Sequence, residues 1–204
     1  MKSTIAVATC LFTYLGFPQL HPIAQAQLPD PGLNNPVTQP TARQLLVLQS
    51  SGLQVALPSY VPEGFRLKQI LATTQRSSRL GGYTYTVLYE KVTNTQIQCF
   101  AIEATSGGIG DLPQSKIASY PINTKASQFS EGRLEVDRYG KSATPTLLSS
   151  WLSDRTVVAP AAFYRFTGAG VIPELDQCSN LSPQEAIAVI ESLRYVPVFN
   201  PVTS

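Results

Sequence analysis

Acidic side chains offer this sequence its most direct route to chemistry. The run "GRLEVDRYG" spaces Arg133, Glu135 and Asp137 two residues apart. At a strand's period of two, all three share one face. A glycosidase sets its two carboxylates about 5 to 9.5 Å apart across a sugar, and neighbours on one strand face fall in that range. Glu135 and Asp137 are therefore the candidate acid pair of a hydrolase acting on envelope polysaccharide. The plainer expectation, which we favour, is a solvated strand face carrying a local Arg–carboxylate pair.

Other catalytic chemistries depend on groups that processing is expected to remove. Residues 1–26 read as a secretory signal. Lys2 supplies the positive start, Ile5 to Phe17 is apolar apart from Thr9, Cys10 and Thr13, and Pro18 ends the run. Ala24-Gln25-Ala26 then offers small residues at both positions that signal peptidase reads. A spanning helix needs roughly 20 apolar residues, and this run is shorter. Lipidation at Cys10 is disfavoured because Thr9 stands where a smaller residue is wanted and the apolar run continues past it. Cleavage after Ala26 leaves 178 of the 204 residues and removes His21 and Met1, the only histidine and methionine. Without histidine, Ser-His-Asp and Cys-His catalysis lose their base. Zinc and copper sites lose their usual nitrogen ligand. No Ser-x-x-Lys, Gly-x-Ser-x-Gly or Asp-x-Asp-x-Asp-Gly pattern occurs. No cofactor and no metal site is expected. With 14 Lys+Arg against 13 Asp+Glu, the remaining chain carries no electrostatic footprint for nucleic acid.

Two cysteines persist, Cys99 and Cys178. In an exported chain they predict one structural disulfide, because redox thiols are usually closely spaced or sit beside a base. The glycine-rich "SGGIGDLP" at 106–113 lacks the following Gly-Lys-Ser/Thr of a phosphate loop and is expected to be a plain connection. A more suggestive feature is basic. Arg66, Lys68, Arg76 and Arg79 lie between Glu63 and Glu90 with no acid among them, beside Tyr83, Tyr85 and Tyr89. Cations next to aromatic rings suit an anionic lipid, a glycan or an acidic envelope partner. The competing expectation buries the tyrosine rings in the core.

The elements that must position these groups follow a clear order. Residues 27–40 form a Pro-rich spacer. A helix is expected over 41–50 with Thr41 as its cap. Three strands then form an antiparallel meander. The first runs from Phe65 to Thr73 with Phe65, Leu67, Gln69 and Leu71 on one face, the second is "YTYTVLYEKV", and the third is "QIQCFAIEA". Shorter strands are expected near 116–122, 126–130 and 133–139, with Glu131-Gly132 as a hairpin turn. Two more apolar segments follow at Leu147–Leu152 and Ala161–Thr167. The final helix has the strongest start signal, a Ser182-Pro183-x-Glu185 capping box, and an apolar stripe of Ala186, Ile187, Ile190 and Leu193. Residues 197–204 are expected to be a tail. The fold class is α+β: one domain over 41–196, with a curved antiparallel meander sheet and a helix near each end.

On "LPSYVPEGFRL" and "SPQEAIAVIESL" the chain resembles exported bacterial domains, of cyanobacterial type, that open with a Tyr-x-Pro-Glu-Gly-Phe signature. That resemblance implies a distant similarity to the periplasmic lipoprotein-carrier and sigma-regulator fold, a curved sheet wrapped around helices. It implies no catalytic residue, since Pro62 and Gly64 of the signature serve turn geometry. The expected function is an exported, non-enzymatic binding or interaction module of the periplasm or extracellular space.

Overall fold

The computed structural model describes residues 38–75, 82–107, 116–124, 127–137, 145–158 and 161–197. The expected signal segment, most of the Pro-rich spacer, Arg76, Arg79, most of the glycine-rich loop and most of the expected tail lie outside the described residues.

Helix α1 (Ala42–Gln49) starts where the sequence signals it. Thr41 Oγ1 accepts from the Gln44 amide, and the Gln44 side chain accepts from the Thr41 amide, a reciprocal capping box. Helix α2 (Pro183–Glu191) repeats the device with Ser182 and Glu185. Between them run β1 (Ala56–Pro58), β2 (Arg66–Thr73), β3 (Thr84–Val92), β4 (Ile97–Thr105), β5 (Lys116–Ile122), β6 (Gly132–Asp137), β7 (Thr146–Ser149), β8 (Leu152–Ser153) and β9 (Phe163–Gly168). Strand β10 (Leu193–Tyr195) closes the described chain.

Strands β2 to β4 make the expected antiparallel meander, and β5 to β7 make a second. Strand β9 inserts between them and pairs with both β4 and β7, giving the open order β2-β3-β4-β9-β7-β6-β5, with β8 also on β9. Both edge strands carry bulges, at Lys68 in β2 and Ile117 in β5, and β5 adds Pro121. Such features discourage pairing with another chain's strand.

The bulge in β2 corrects the expected face. Phe65 and Leu67 enter the main core, but the extra residue reverses the alternation beyond it. Ile70 and Ala72 therefore face that core in place of Gln69 and Leu71, and Leu71 packs on the opposite side. Other corrections concern short elements. Of the strand expected at 126–130, the described residues 127–130 form none, although Phe129 makes an isolated bridge to Asp154. Strand β6 pairs directly with β5, so Glu131-Gly132 is not the turn of a hairpin between 126–130 and 133–139. The segment Leu147–Leu152 divides into β7 and β8 on either side of Ser150 and Trp151. Leu193 leaves the helix and belongs to β10, which pairs with β1. Backbone pairing wins there because Ser192 ends the helix and β1 offers a free edge.

One sheet face packs α1 and α2 through Leu48, Ala186, Val189 and Ile190. Its centre is an aromatic stack. Phe100 lies between Tyr89, with centroids 4.8 Å apart, and Phe166, at 5.4 Å, and Phe65 tilts against it. The other face holds a smaller cluster of Leu88, Cys99, Ala101, Ala169, Ile172 and Leu175. Gly168 sits where β9 leaves the sheet. A side chain there would run into Asn180 and the Leu147 carbonyl. Asn180 in turn accepts from the Ala169 amide and donates to the Pro145 carbonyl.

The Cys99–Cys178 disulfide joins residues 79 apart, with Cα atoms separated by 5.7 Å. Beside it, Ser179 exchanges two backbone hydrogen bonds with β4, donating to Ile97 and accepting from Cys99. The segment leading into α2 is thereby tied to the sheet, as the cysteine positions led one to expect. Replacing both cysteines by serine should lower stability by up to about 4.5 kcal/mol, from the loop-closure entropy of so long a crosslink. Urea unfolding of the double variant under non-reducing conditions checks this. An unchanged midpoint would mean the bridge is energetically idle.

Candidate functional site

The described part of the basic hairpin is already paired within the protein. Arg66 and Lys68 both pair with Glu90, at 3.0 and 2.9 Å. Burial works to raise the Glu90 pKa, but the hydrogen bonds from Lys68 and Arg66 outweigh it and hold the carboxyl below its ordinary value. Two cations of the candidate cluster are thus engaged by a carboxylate of the neighbouring strand. The tyrosines separate as well. Tyr83 precedes β3 and is 45% exposed, whereas Tyr85 and Tyr89 are fully buried. Strand alternation turns those two into the main core with Val87. They therefore cannot form a binding face.

The carboxylate strand departs from expectation differently. Leu134 and Val136 face the main core, so Glu135 and Asp137 do share the opposite face. That face is not solvated: each residue is only 1% exposed. Glu135 Oε1 receives Lys116 Nζ at 3.1 Å and Ser119 Oγ at 3.0 Å, with Arg133 Nε 3.7 Å away. A second buried pair lies nearby. Glu103 Oε2 accepts from Arg165 Nε and Nη2 at 2.8 and 2.7 Å and from Thr167 Oγ1 at 2.8 Å. The Arg165 guanidinium also lies over the Trp151 ring, 4.3 Å from its centroid.

Glu135 and Asp137 project side by side from one strand and do not oppose each other. By register, Glu103 and Glu135 stand three strands apart across β9 and β7. At a strand spacing of about 4.8 Å that is roughly 14 Å, beyond glycosidase range.

A third place was not singled out from sequence. The rings of Phe129, Tyr164 and Tyr195 meet edge to face, with centroid separations of 5.3, 5.1 and 6.0 Å. Beside them opens a hollow of about 160 Å³, lined by Gln54, Asp154, Val157, Ala161, Ala162, Tyr164 and Tyr195. Each wall has a definite support. Tyr164 comes from β9. Tyr195 comes from β10, which is held opposite Ala56 of β1. The Tyr85 hydroxyl anchors Ala56 in turn, accepting from its amide at 2.7 Å and donating to its carbonyl at 3.1 Å. Asp154 follows β8 and is fixed by its bridge to Phe129 and by its own turn. Its Oδ1 accepts from the Thr156 amide at 2.8 Å and the Thr156 hydroxyl at 2.6 Å.

The electrostatics of the hollow are settled by these bonds. The Thr156 hydroxyl, followed by its amide and the Tyr195 hydroxyl, holds the Asp154 carboxyl below its ordinary value. Burial raises the Tyr164 phenol, and neighbouring phenols and Asp154 add to that. Tyr195 is pushed up to about 12, mainly by burial and also by Asp154. At neutral pH the hollow therefore holds one anion and two neutral phenols. The Asp-x-Thr turn at 154–156 was legible in the sequence, but β10 was hidden as the end of a helix and a tail.

Among the described residues, no three His, Cys, Asp or Glu side chains gather as metal ligands, and no helix is long and apolar enough to cross a membrane. No family model, curated protein or solved structure matches the chain.

Two expectations follow. Substituting Glu103→Gln should cost about 3 kcal/mol or more, because it leaves Arg165 without its counter-charge. A Glu103→Leu/Arg165→Met double variant should lose less, as read from chemical unfolding. If the double variant proves no more stable than the single one, the pair is not the source of the loss. The second concerns alkali. Tyr85, Tyr89 and Tyr164 are raised well above the ordinary phenol value of 10.0, and Tyr195 to about 12. The unfolded chain then ionises first. The contribution to stability is complete below pH 10 and falls as pH rises toward 12 and beyond. Phenolate absorbance should accordingly appear for Tyr85, Tyr89 and Tyr164 only as the protein unfolds, and for Tyr195 near pH 12. Their titration near pH 10 in the folded protein would contradict their burial.

Proposed function

We propose that this chain is an exported, non-enzymatic binding module of the cell envelope, and that the hollow floored by Tyr164 and Tyr195 is its binding site. The single observation that carries the reading is convergence. An apolar-walled recess, an anionic carboxylate and two phenols meet at one place, and no nucleophile–base pair accompanies them. Export is supported by the signal-like first 26 residues. The disulfide accords with an oxidising compartment. The resemblance of the opening segment to exported carrier-type domains supports the same class. Its acyl-carrying function draws less support, because the inner sheet face is filled by stacked rings.

The size of the hollow sets the scale of the ligand. Drug-sized sites span about 300 to 1,000 Å³, whereas a cavity of about 150 Å³ admits benzene. One ring or one side chain fits here. The test is an NMR screen of small envelope constituents, namely monosaccharides, amino acids, amines and lipid head groups. Shifts confined to Ala162, Tyr164 and Tyr195, and lost when Ala161→Trp fills the recess, are expected. Shifts centred on Arg66 and Lys68, or turnover of any compound, would overturn the assignment.

A further inference from the structure

The phenols of the hollow have committed their hydrogens and offer acceptors, and the exposed Gln54 adds an amide that can donate or accept. Tyr164 turns its hydroxyl hydrogen to the Gln54 carbonyl at 2.8 Å. The Tyr195 hydroxyl lies between the Tyr164 hydroxyl and the Asp154 carboxylate and interacts with both. Both phenolic hydrogens are thereby committed to the protein, while the phenol oxygens keep lone pairs. Asp154 is the one charged residue in the lining, and among the described residues no lysine or arginine pairs with it. Its Oδ1 is occupied by Thr156, but a carboxylate has about four acceptor positions. Val157, Ala161 and Ala162 form the apolar part of the wall, with Val157 about half exposed, and the Gln54 amide completes the lining.

From this pattern we infer that the hollow takes an alkylammonium group, with its charged head at Asp154 and its methylene stem along Val157, Ala161 and Ala162. This rests on the proposal that the hollow is the binding site, and it adds the chemical class. An ammonium brings donors and no acceptors, the complement of what the phenols and Asp154 offer. The clustered aromatic rings add the attraction of a π-system for a cation. A carboxylate or phosphate ligand would meet Asp154 as a like charge. A sugar would bring hydroxyl acceptors for which the phenols have no hydrogen to spare. The stem matters as much as the head. About 160 Å³ is more than a bare ammonium fills and about what a lysine side chain needs.

The test uses the full mature chain with its disulfide intact. Three short-chain probes of five to seven heavy atoms are titrated by NMR: n-butylammonium, the neutral 1-pentanol and the anionic valerate. A fourth probe, acetyl-Gly-Lys-Gly-amide, presents the same group on a peptide. n-Butylammonium should bind about tenfold more tightly than 1-pentanol, the usual scale of a charge-assisted hydrogen bond. Shifts should centre on Asp154, Ala162 and Tyr195. Asp154→Asn, which keeps an oxygen for the Thr156 turn, should abolish the preference while leaving the fold intact. If the peptide binds at least as well as the free amine, the natural source is a lysine of a partner protein. If only the free amine binds, the source is a soluble amine. 1-Pentanol or valerate equalling n-butylammonium within the hollow would overturn the cation assignment but keep the hollow as a binding site. If no probe moves a resonance there, the cation assignment and the binding-site proposal fall together.

Discussion

The register of β9 against β4 is the constraint on which the rest of this structure depends. One strand joins two meanders and furnishes a distinct layer on each side. On the helix-covered face, Phe166 stacks on Phe100 and Tyr164 reaches the ring cluster by the hollow. On the opposite face, Arg165 and Thr167 meet Glu103. A slip of one residue would reverse every assignment, placing Arg165 among stacked rings and Phe166 against a buried carboxylate. The cost of either error enforces the pairing more strongly than the ladder's hydrogen bonds alone. Gly168 marks the end of the strand, where only a residue without a side chain clears Asn180 and Leu147.

Buried ion pairs on the second face add specificity more than stability. Desolvating two charges costs several kcal/mol per ion, and the attraction between them roughly offsets it. Glu103 with Arg165, and Glu135 with Lys116 and Ser119, are bonds between neighbouring strands. Each can form in only one register. The disulfide and the Ser179 bridges perform a related task at the far end of β4, fixing the approach to α2.

The tyrosines distribute position from the sheet outward. Tyr85 projects from β3 through the core and grips the Ala56 backbone, which sets β1. Strand β1 holds β10, and β10 delivers Tyr195 to the hollow. Burial keeps these phenols neutral, so their hydroxyls serve as fixed hydrogen-bonding groups at any ordinary pH. The hollow therefore takes Tyr164 and Tyr195 from strands, whereas Gln54, Asp154, Val157, Ala161 and Ala162 sit on the segments that flank them.

The sequence by itself determined what depends on neighbouring residues. Both helix starts were legible from Thr41-x-x-Gln44 and Ser182-x-x-Glu185, because a cap is closed within four residues. The three long strands of the first meander were legible from period-two apolar patterning, and the α+β class followed. The disulfide was legible because two cysteines in an exported-type chain have few alternatives. Only the tertiary structure decided which partner each strand took. The bulge at Lys68 reversed the face of β2, a shift set by pairing with β3 and invisible in β2 itself. The placing of Tyr85 and Tyr89 in the core depended on helices that arrive more than 90 residues later in one case. Glu135 and Asp137 shared a face as their spacing requires, but their burial required the assembled sheet. The hollow was the least legible feature, since Gln54, Asp154, Tyr164 and Tyr195 come together across 141 residues. No local pattern encodes that meeting; it exists because β1 paired with β10 and β9 with β4, partners distant in the chain.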